Sequence, residues 1–271
     1  MSHTNRMLPI VNASEILVLP QERIRYLLGV AEAAVNRVQG IVRVGVENRA
    51  DFDGNDIHTS LDKDAHRAYL ELLSKTGIEV LSEEDVQDST DFRLDSMGLH
   101  WVVDPVDGSY NHWREIPFYC TSIALLKDGE PLLGVIGNLV TGDVYTGTTV
   151  TPATKNGHPI SVSATHDASR AVIATGFPVG TVLDDWAVRF RQEGFGNFGK
   201  IRMFGSAAMA LALVAEGCVD AYWESGIFVW DVAAGLAICS AAGATVNATQ
   251  LEDFRLNVEA LAPSLCVTHP D

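Results

Sequence analysis

DPVDGSYN, residues 104–111, follows the short apolar run HWVV at 100–103. Two aspartates, Asp104 and Asp107, therefore stand three residues apart where a buried strand ends. Pro105 disfavours helical backbone at the residue before it and so holds Asp104 extended at the strand end. Gly108 lets the backbone approach a ligand closely, and the amides that follow it can point at an anion. Two carboxylates on one such turn repel each other unless something neutralises them. Oxygen ligands with no histidine or cysteine in the turn favour a hard cation, Mg²⁺ before others. Taken alone, Asp-Pro and Asp-Gly are also everyday turn formers. The meaning of the turn depends on what else shares its address.

The rest of the chain has an ordinary globular composition. Of 271 residues, 47% are hydrophobic and 20% charged, enough for one large or two small domains with a substantial core. Acidic residues outnumber basic ones 35 to 19, a net charge of −16. That balance speaks against nonspecific nucleic-acid binding and against docking on anionic membranes, both of which need basic patches. It also means that an anionic ligand would need recruited cations. Cys120, Cys218, Cys239 and Cys266 are far apart with no C-x-x-C pair, which fits reduced thiols in a cytoplasmic protein. Residues 1–20 lack the basic start and apolar core of a signal peptide, and no apolar run reaches the ~18 residues of a membrane span.

The hydrophobic pattern predicts a helix over 21–40 with Ile24, Leu27, Leu28, Ala31, Ala34, Val35 and Val38 on one face, stopping at Gly40. A polar loop follows, then a second helix over about 61–75 with Ser60 as its cap. IEVL at 78–81 and HWVV at 100–103 read as strands, the second ending at Asp104. Residues 119–139 read as a hairpin turning at Lys127-Asp128-Gly129, with a further strand in GDVYTGT at 142–148. Beyond about 150 strands and helices alternate, ending in the WDVAAG helix closed by Gly243. The expected organisation is an α+β half, 1–150, and an α/β half, 151–271, packed as one compact unit.

Acidic residues recur at strand ends and helix starts, positions that face the ligand crevice in α/β folds. They are Glu83 and Glu84 after IEVL, Asp104 and Asp107, Asp231 at the start of the WDVAAG helix, and Asp62 at the start of the helix over 61–75. The segment DFDGND at 51–56 fails the calcium-loop template, because its glycine falls at position four and no glutamate occupies position twelve. It is expected to be a mobile surface loop. No P-loop, G-x-S-x-G or H-E-x-x-H motif is present.

LSEED at 81–85, residues 101–125, residues 205–224 and WDVAAGLAICSAAGATV at 230–246 together resemble the inositol monophosphatase family. The pair D-P-x-D-G-[ST] and W-D-x-A-A-G is highly specific. The resemblance implies a layered α-β-α-β-α sandwich, a homodimer, and a Mg²⁺-dependent, lithium-sensitive phosphatase using two to three ions. Carried over by position, Glu83 and Asp104, with the carbonyl of Val106, bind the first metal. Asp104, Asp107 and Asp231 bind the second, and Glu83 with waters a weaker third. Asp62, in TSLD, and Ser109, in place of a threonine, orient and deprotonate the attacking water, and Glu83 joins them at the reacting centre. The amides of Gly108 and Ser109 hold phosphate oxygens, next to the Asp107 and Asp231 carboxylates.

Glu224 and Ala207 match positions that contact the inositol ring, so myo-inositol monophosphate is the first expectation for the substrate. Several departures keep others open. His112 stands where the family has an aromatic residue, the loop lysine before Asp62 has no clear counterpart except Arg49, and His58 is unusual. Histidinol phosphate, fructose 1,6-bisphosphate, a specialised sugar phosphate, or a non-catalytic metal- or phosphate-binding role remain alternatives.

Overall fold

The computed structural model describes residues 19–44, 50–53, 56–85, 94, 98–178, 181–251, 253–265 and 267. Arg49, Cys266, most of the N-terminal 20 residues and the side chain of His58 lie outside the described residues. In chain order the elements are α1 (Gln21–Val44), β1 (Ala50–Asp53), β2 (Asp56–Thr59), α2 (Ser60–Leu73), β3 (Glu79–Ser82), β4 (Leu99–Asp107) and α3 (Ser109–Trp113). Next come β5 (Cys120–Lys127), β6 (Glu130–Asn138), β7 (Val144–Thr148), β8 (Thr154–Lys155), β9 (His158–Pro159), β10 (Val172–Thr175), α4 (Leu183–Gln192) and β11 (Lys200–Arg202). The chain ends with α5 (Ala207–Ala215), β12 (Ala221–Phe228), α6 (Val229–Ala241), β13 (Thr245–Gln250) and β14 (Arg255–Leu261).

These elements form the five layers expected from the sequence. A seven-stranded sheet in the order β3-β4-β5-β6-β7-β8-β9 faces a five-stranded sheet in the order β11-β10-β12-β14-β13. On the outer face of the larger sheet lie α1 and α2, burying Ile24, Leu27, Val35, Leu61 and Tyr69 against Trp101, Ile123 and Val135. Between the sheets lie α5 and α6, which are apolar nearly all round, as helices buried on every side must be. Their core joins Val102 and Ile136 of one sheet to Tyr222 and Val258 of the other through Leu211, Val232 and Ile238. On the far side α4 packs Phe190 against Ile173 and Trp223.

Four sequence expectations are corrected. Helix α1 runs on to Val44 through Gly40, which is exposed with open space around it, so the glycine costs only its propensity of about 1 kcal/mol. Part of the polar loop before Asp62 is the antiparallel ribbon β1–β2, and Thr59 rather than Ser60 caps α2. Strand β4 does not end at Asp104 but continues to Asp107, with its register to β5 broken between those two residues. That irregularity lets both aspartates turn to the same side instead of alternating across the sheet. The last two strands, β13 and β14, were not read from the sequence at all.

Candidate active site

The site forms where β3 and β4 end and where α2, α5 and α6 begin. Glu83 follows β3 on a short 3-10 turn, Asp104 and Asp107 close β4, and Asp231 sits in the first turn of α6. Asp104, Asp107 and Asp231 each offer a ligand oxygen within 4.8 Å of the others. Glu83 lies close enough to share a hydrogen bond with Asp104. These four, with Val106, Gly108, Ser109, Ala207 and Glu224, line one cleft of about 530 Å³. Every metal and substrate position expected from the sequence is thus brought to a single place.

The electrostatics of this cluster are unfavourable as it stands. Burial, then the carboxylates of Glu83, Asp107 and Asp231, push Asp104 well above the ordinary carboxylate range. Asp231 is pushed well above it too, by burial and then by Glu83, Asp107 and Glu224, although the Phe228 amide opposes the shift. Asp107 is raised by burial, and four hydrogen bonds pull it back. Those bonds show how it is held. Ser206 Oγ donates to Asp107 Oδ2 at 2.6 Å, the Ala208 amide at 2.7 Å, and the Ala207 amide to Oδ1 at 3.2 Å. The N-terminus of α5 therefore fixes this carboxylate, where the helix dipole favours negative charge. It also means that the Ala207 amide faces Asp107.

Asp104 is the exception. It is 1% exposed, and its Oδ1 has no hydrogen-bond partner among the described residues. A buried carboxylate oxygen without a donor is costly, by about 1–3 kcal/mol or more. A divalent cation would satisfy it and remove the repulsion among its neighbours. The donor set is oxygen-only, because burial and the adjacent aspartates raise the Cys120 thiol well above its ordinary value and keep it protonated. Hard cations fit such a set.

The remaining candidate groups flank the cluster. Asp62, 2% exposed, takes the third position of α2, where its Oδ2 accepts from the Thr59 amide at 2.5 Å. Its Oδ1 accepts from Ser109 Oγ at 2.6 Å, and the same hydroxyl lies 2.8 Å from the Val106 carbonyl. Gly108 has φ +92°, and a Cβ there would sit 3.1–3.2 Å from the Gly205 carbonyl, Ser206 Cβ and Tyr119 Cβ. Asn111 ties this turn to the strap before α5, its Nδ2 donating to the Phe204 carbonyl at 2.8 Å. The His112 ring packs with its centroid 4.9 Å from that of Tyr119.

Glu224 forms the opposite wall. Burial raises its carboxyl to about 7, partly offset by the Tyr222 hydroxyl, which donates to it at 2.6 Å. Sequence reasoning missed Thr175, Phe177, Phe204, Phe228 and Arg255, which complete the cleft. Ser206 was legible as a serine after glycine at a helix start. Thr175, Phe228 and Arg255 reach the cleft from β10, β12 and β14, and Phe177 and Phe204 from the segments that follow β10 and β11, where no local signal marks them.

Comparison with known proteins agrees with this geometry. The family model "Inositol monophosphatase family" matches residues 21–266. This chain belongs to the inositol monophosphatase family. Among curated relatives, Nus factor SuhB of Pasteurella multocida is 29% identical over 81% of this chain and 84% of its own. Inositol-1-monophosphatase of a Synechocystis strain is 35% identical over 71% of this chain and 67% of its own. The crystal structure of extragenic suppressor protein suhB from Bartonella henselae superposes with a TM-score of 0.76, at 28% identity over 88% of this chain and 94% of that one. The layered architecture is thus the inositol monophosphatase fold, while the relatives' names divide between a phosphatase and a Nus factor.

Proposed function

We propose that the chain is a Mg²⁺-dependent phosphomonoesterase acting on a small sugar or cyclitol phosphate, with myo-inositol monophosphate as the first choice. The observation that carries this is the unpartnered Asp104 Oδ1 inside a cluster of buried carboxylates whose acidities are mutually perturbed. Such a set is stable in its charged form only around a cation. Glu83, Asp104 and the Val106 carbonyl would hold one ion, and Asp104, Asp107 and Asp231 a second, with Glu83 available to a third. Bound there, divalent cations lower the pKa of a water and stabilise charge on the phosphoryl group and leaving oxygen.

The chain's own residues do the rest. Ser109 Oγ donates to Asp62 Oδ1 and so keeps a lone pair to accept a hydrogen bond from the attacking water. Asp62 becomes the final proton acceptor of that pair. The Gly108 and Ser109 amides, at the start of α3, face phosphate oxygens. Glu224 accepts from substrate hydroxyls, and Ala207 lines the ring's side of the cleft. No covalent phosphoenzyme is required.

Among the described residues no helix is long and apolar enough to cross a membrane. With a net charge of −16, we take the working protein as a cytoplasmic, lithium-inhibited homodimer without a nucleic-acid partner. The Nus-factor name belongs to the Pasteurella relative. Phosphate release with Mg²⁺ across myo-inositol 1-phosphate, histidinol phosphate, fructose 1,6-bisphosphate and 3′-phosphoadenosine 5′-phosphate tests the substrate. Turnover of inositol phosphate with the highest kcat/KM is the expected result; turnover of histidinol phosphate or the nucleotide alone would reject that choice.

A further inference from the structure

Five carboxylates line the cleft, Glu83, Asp104, Asp107, Glu224 and Asp231, but Arg255 is the one cationic side chain among the described residues around it. Arg255 opens β14, and the antiparallel register sets it opposite Phe228 at the end of β12. Its Nη1 donates to the Gly226 carbonyl at 2.6 Å, where β12 is irregular and Gly226 has φ +80°. Its guanidinium carbon lies 4.0 Å from the centre of the Phe228 ring, and that ring stacks on Trp230 at 4.7 Å. The guanidinium is therefore fixed in plane and direction before any ligand arrives. Of its five N–H donors, the Gly226 carbonyl takes one. Among the described residues no carboxylate forms an ion pair with it.

An arginine so placed is poorly explained by structure alone. Its charge remains available on the wall of a cleft whose other ionisable groups are all acidic. A substrate bearing a second negative charge would be repelled elsewhere in that cleft, whereas a planar guanidinium matches a carboxylate or phosphate with two parallel hydrogen bonds. We propose that Arg255 is a specificity determinant that receives a second anionic group, carboxylate or phosphate, on the phosphate ester whose scissile phosphate lies at the Asp104 cluster. The cleft thereby also admits small phosphate esters that carry a second anionic end. This rests on the hydrolase reading above.

Two matched pairs of esters test it and separate the two kinds of anion. Glycerol 3-phosphate and 3-phosphoglycerate differ by a carboxylate; glucose 1-phosphate and glucose 1,6-bisphosphate differ by a phosphate. With Mg²⁺, the ratio of kcat/KM for the doubly anionic ester to its partner is measured for wild type, Arg255→Gln and Arg255→Lys. The ratio falls about tenfold or more in Arg255→Gln for at least one pair, mainly through KM, and Arg255→Lys recovers part of it. A merely structural role through Gly226 and Phe228 would weaken both members of a pair alike. Ratios within twofold of wild type in both pairs would overturn the inference. So would a wild type that hydrolyses myo-inositol 1-phosphate but neither doubly anionic ester. Phosphate release from no ester at all would reject the hydrolase reading itself.

Discussion

In the proposed mechanism water activation depends on Ser109 and Asp62, which are joined by one 2.6 Å hydrogen bond. Ser109→Ala removes the hydroxyl but little volume, so kcat falls roughly a hundredfold, within the range of positioned proton transfer, while KM changes little. Ser109→Thr keeps the hydroxyl and retains most of the activity. Steady-state kinetics of the two variants check this, and an alanine variant with unaltered kcat would remove Ser109 from the mechanism. At this scale the sequence was most legible. The D-P-x-D-G-S and W-D-x-A-A-G stretches carry Asp104, Asp107 and Asp231, so these carboxylates could be singled out before any geometry, and the structure brings them to one cleft. Arg255 could not, because nothing within several residues of it announces a cleft.

Elements decide whether those residues meet. The end of β4, the turn at Gly108 and the start of α5 lock together through Asp107, Ser206 and the Asn111 carboxamide. Gly108→Ala introduces a Cβ at φ +92° with three atoms 3.1–3.2 Å away, two of them on the strap that holds Asp107. A left-handed conformation alone costs about 1–2 kcal/mol. We therefore expect a Tm several degrees lower and a larger loss of phosphate release than the stability change explains. Thermal unfolding and activity of this variant, measured together, check it; unchanged values of both would contradict the packing described. Most helices and strands were legible from periodicity. The continuation of α1 through Gly40 was hidden by a residue that usually ends helices. The run of β4 to Asp107 was hidden by Pro105, whereas β14 carries a plain alternation, with Leu256, Val258 and Ala260 buried between half-buried polar residues, that a reading centred on motifs passes over.

Across the whole molecule, a net charge of −16 and a buried carboxylate cluster make the folded state sensitive to cations and protons alike. Asp104, Asp107 and Asp231 are all raised from the ordinary aspartate value of 3.8 when no cation is bound. An acid whose folded pKa is raised destabilises the folded state once pH exceeds its unfolded value, and the cost grows until pH passes the folded one. Metal-free protein therefore loses stability as pH rises from about 4 into the neutral range, and Mg²⁺ displaces the retained protons. The gain in Tm on adding Mg²⁺ should increase between about pH 5.5 and 8; a constant or shrinking gain would contradict this. The claim beneath all of it is that these carboxylates hold catalytic cations. Phosphate release by wild type and Asp104→Asn, with Mg²⁺ and after chelation, tests that claim most directly. The account predicts Mg²⁺-dependent release that chelation abolishes and added Mg²⁺ restores, and a fall of about a thousandfold or more in a folded Asp104→Asn, the equivalent of several kcal/mol of transition-state stabilisation. Release that survives both chelation and the substitution would contradict it.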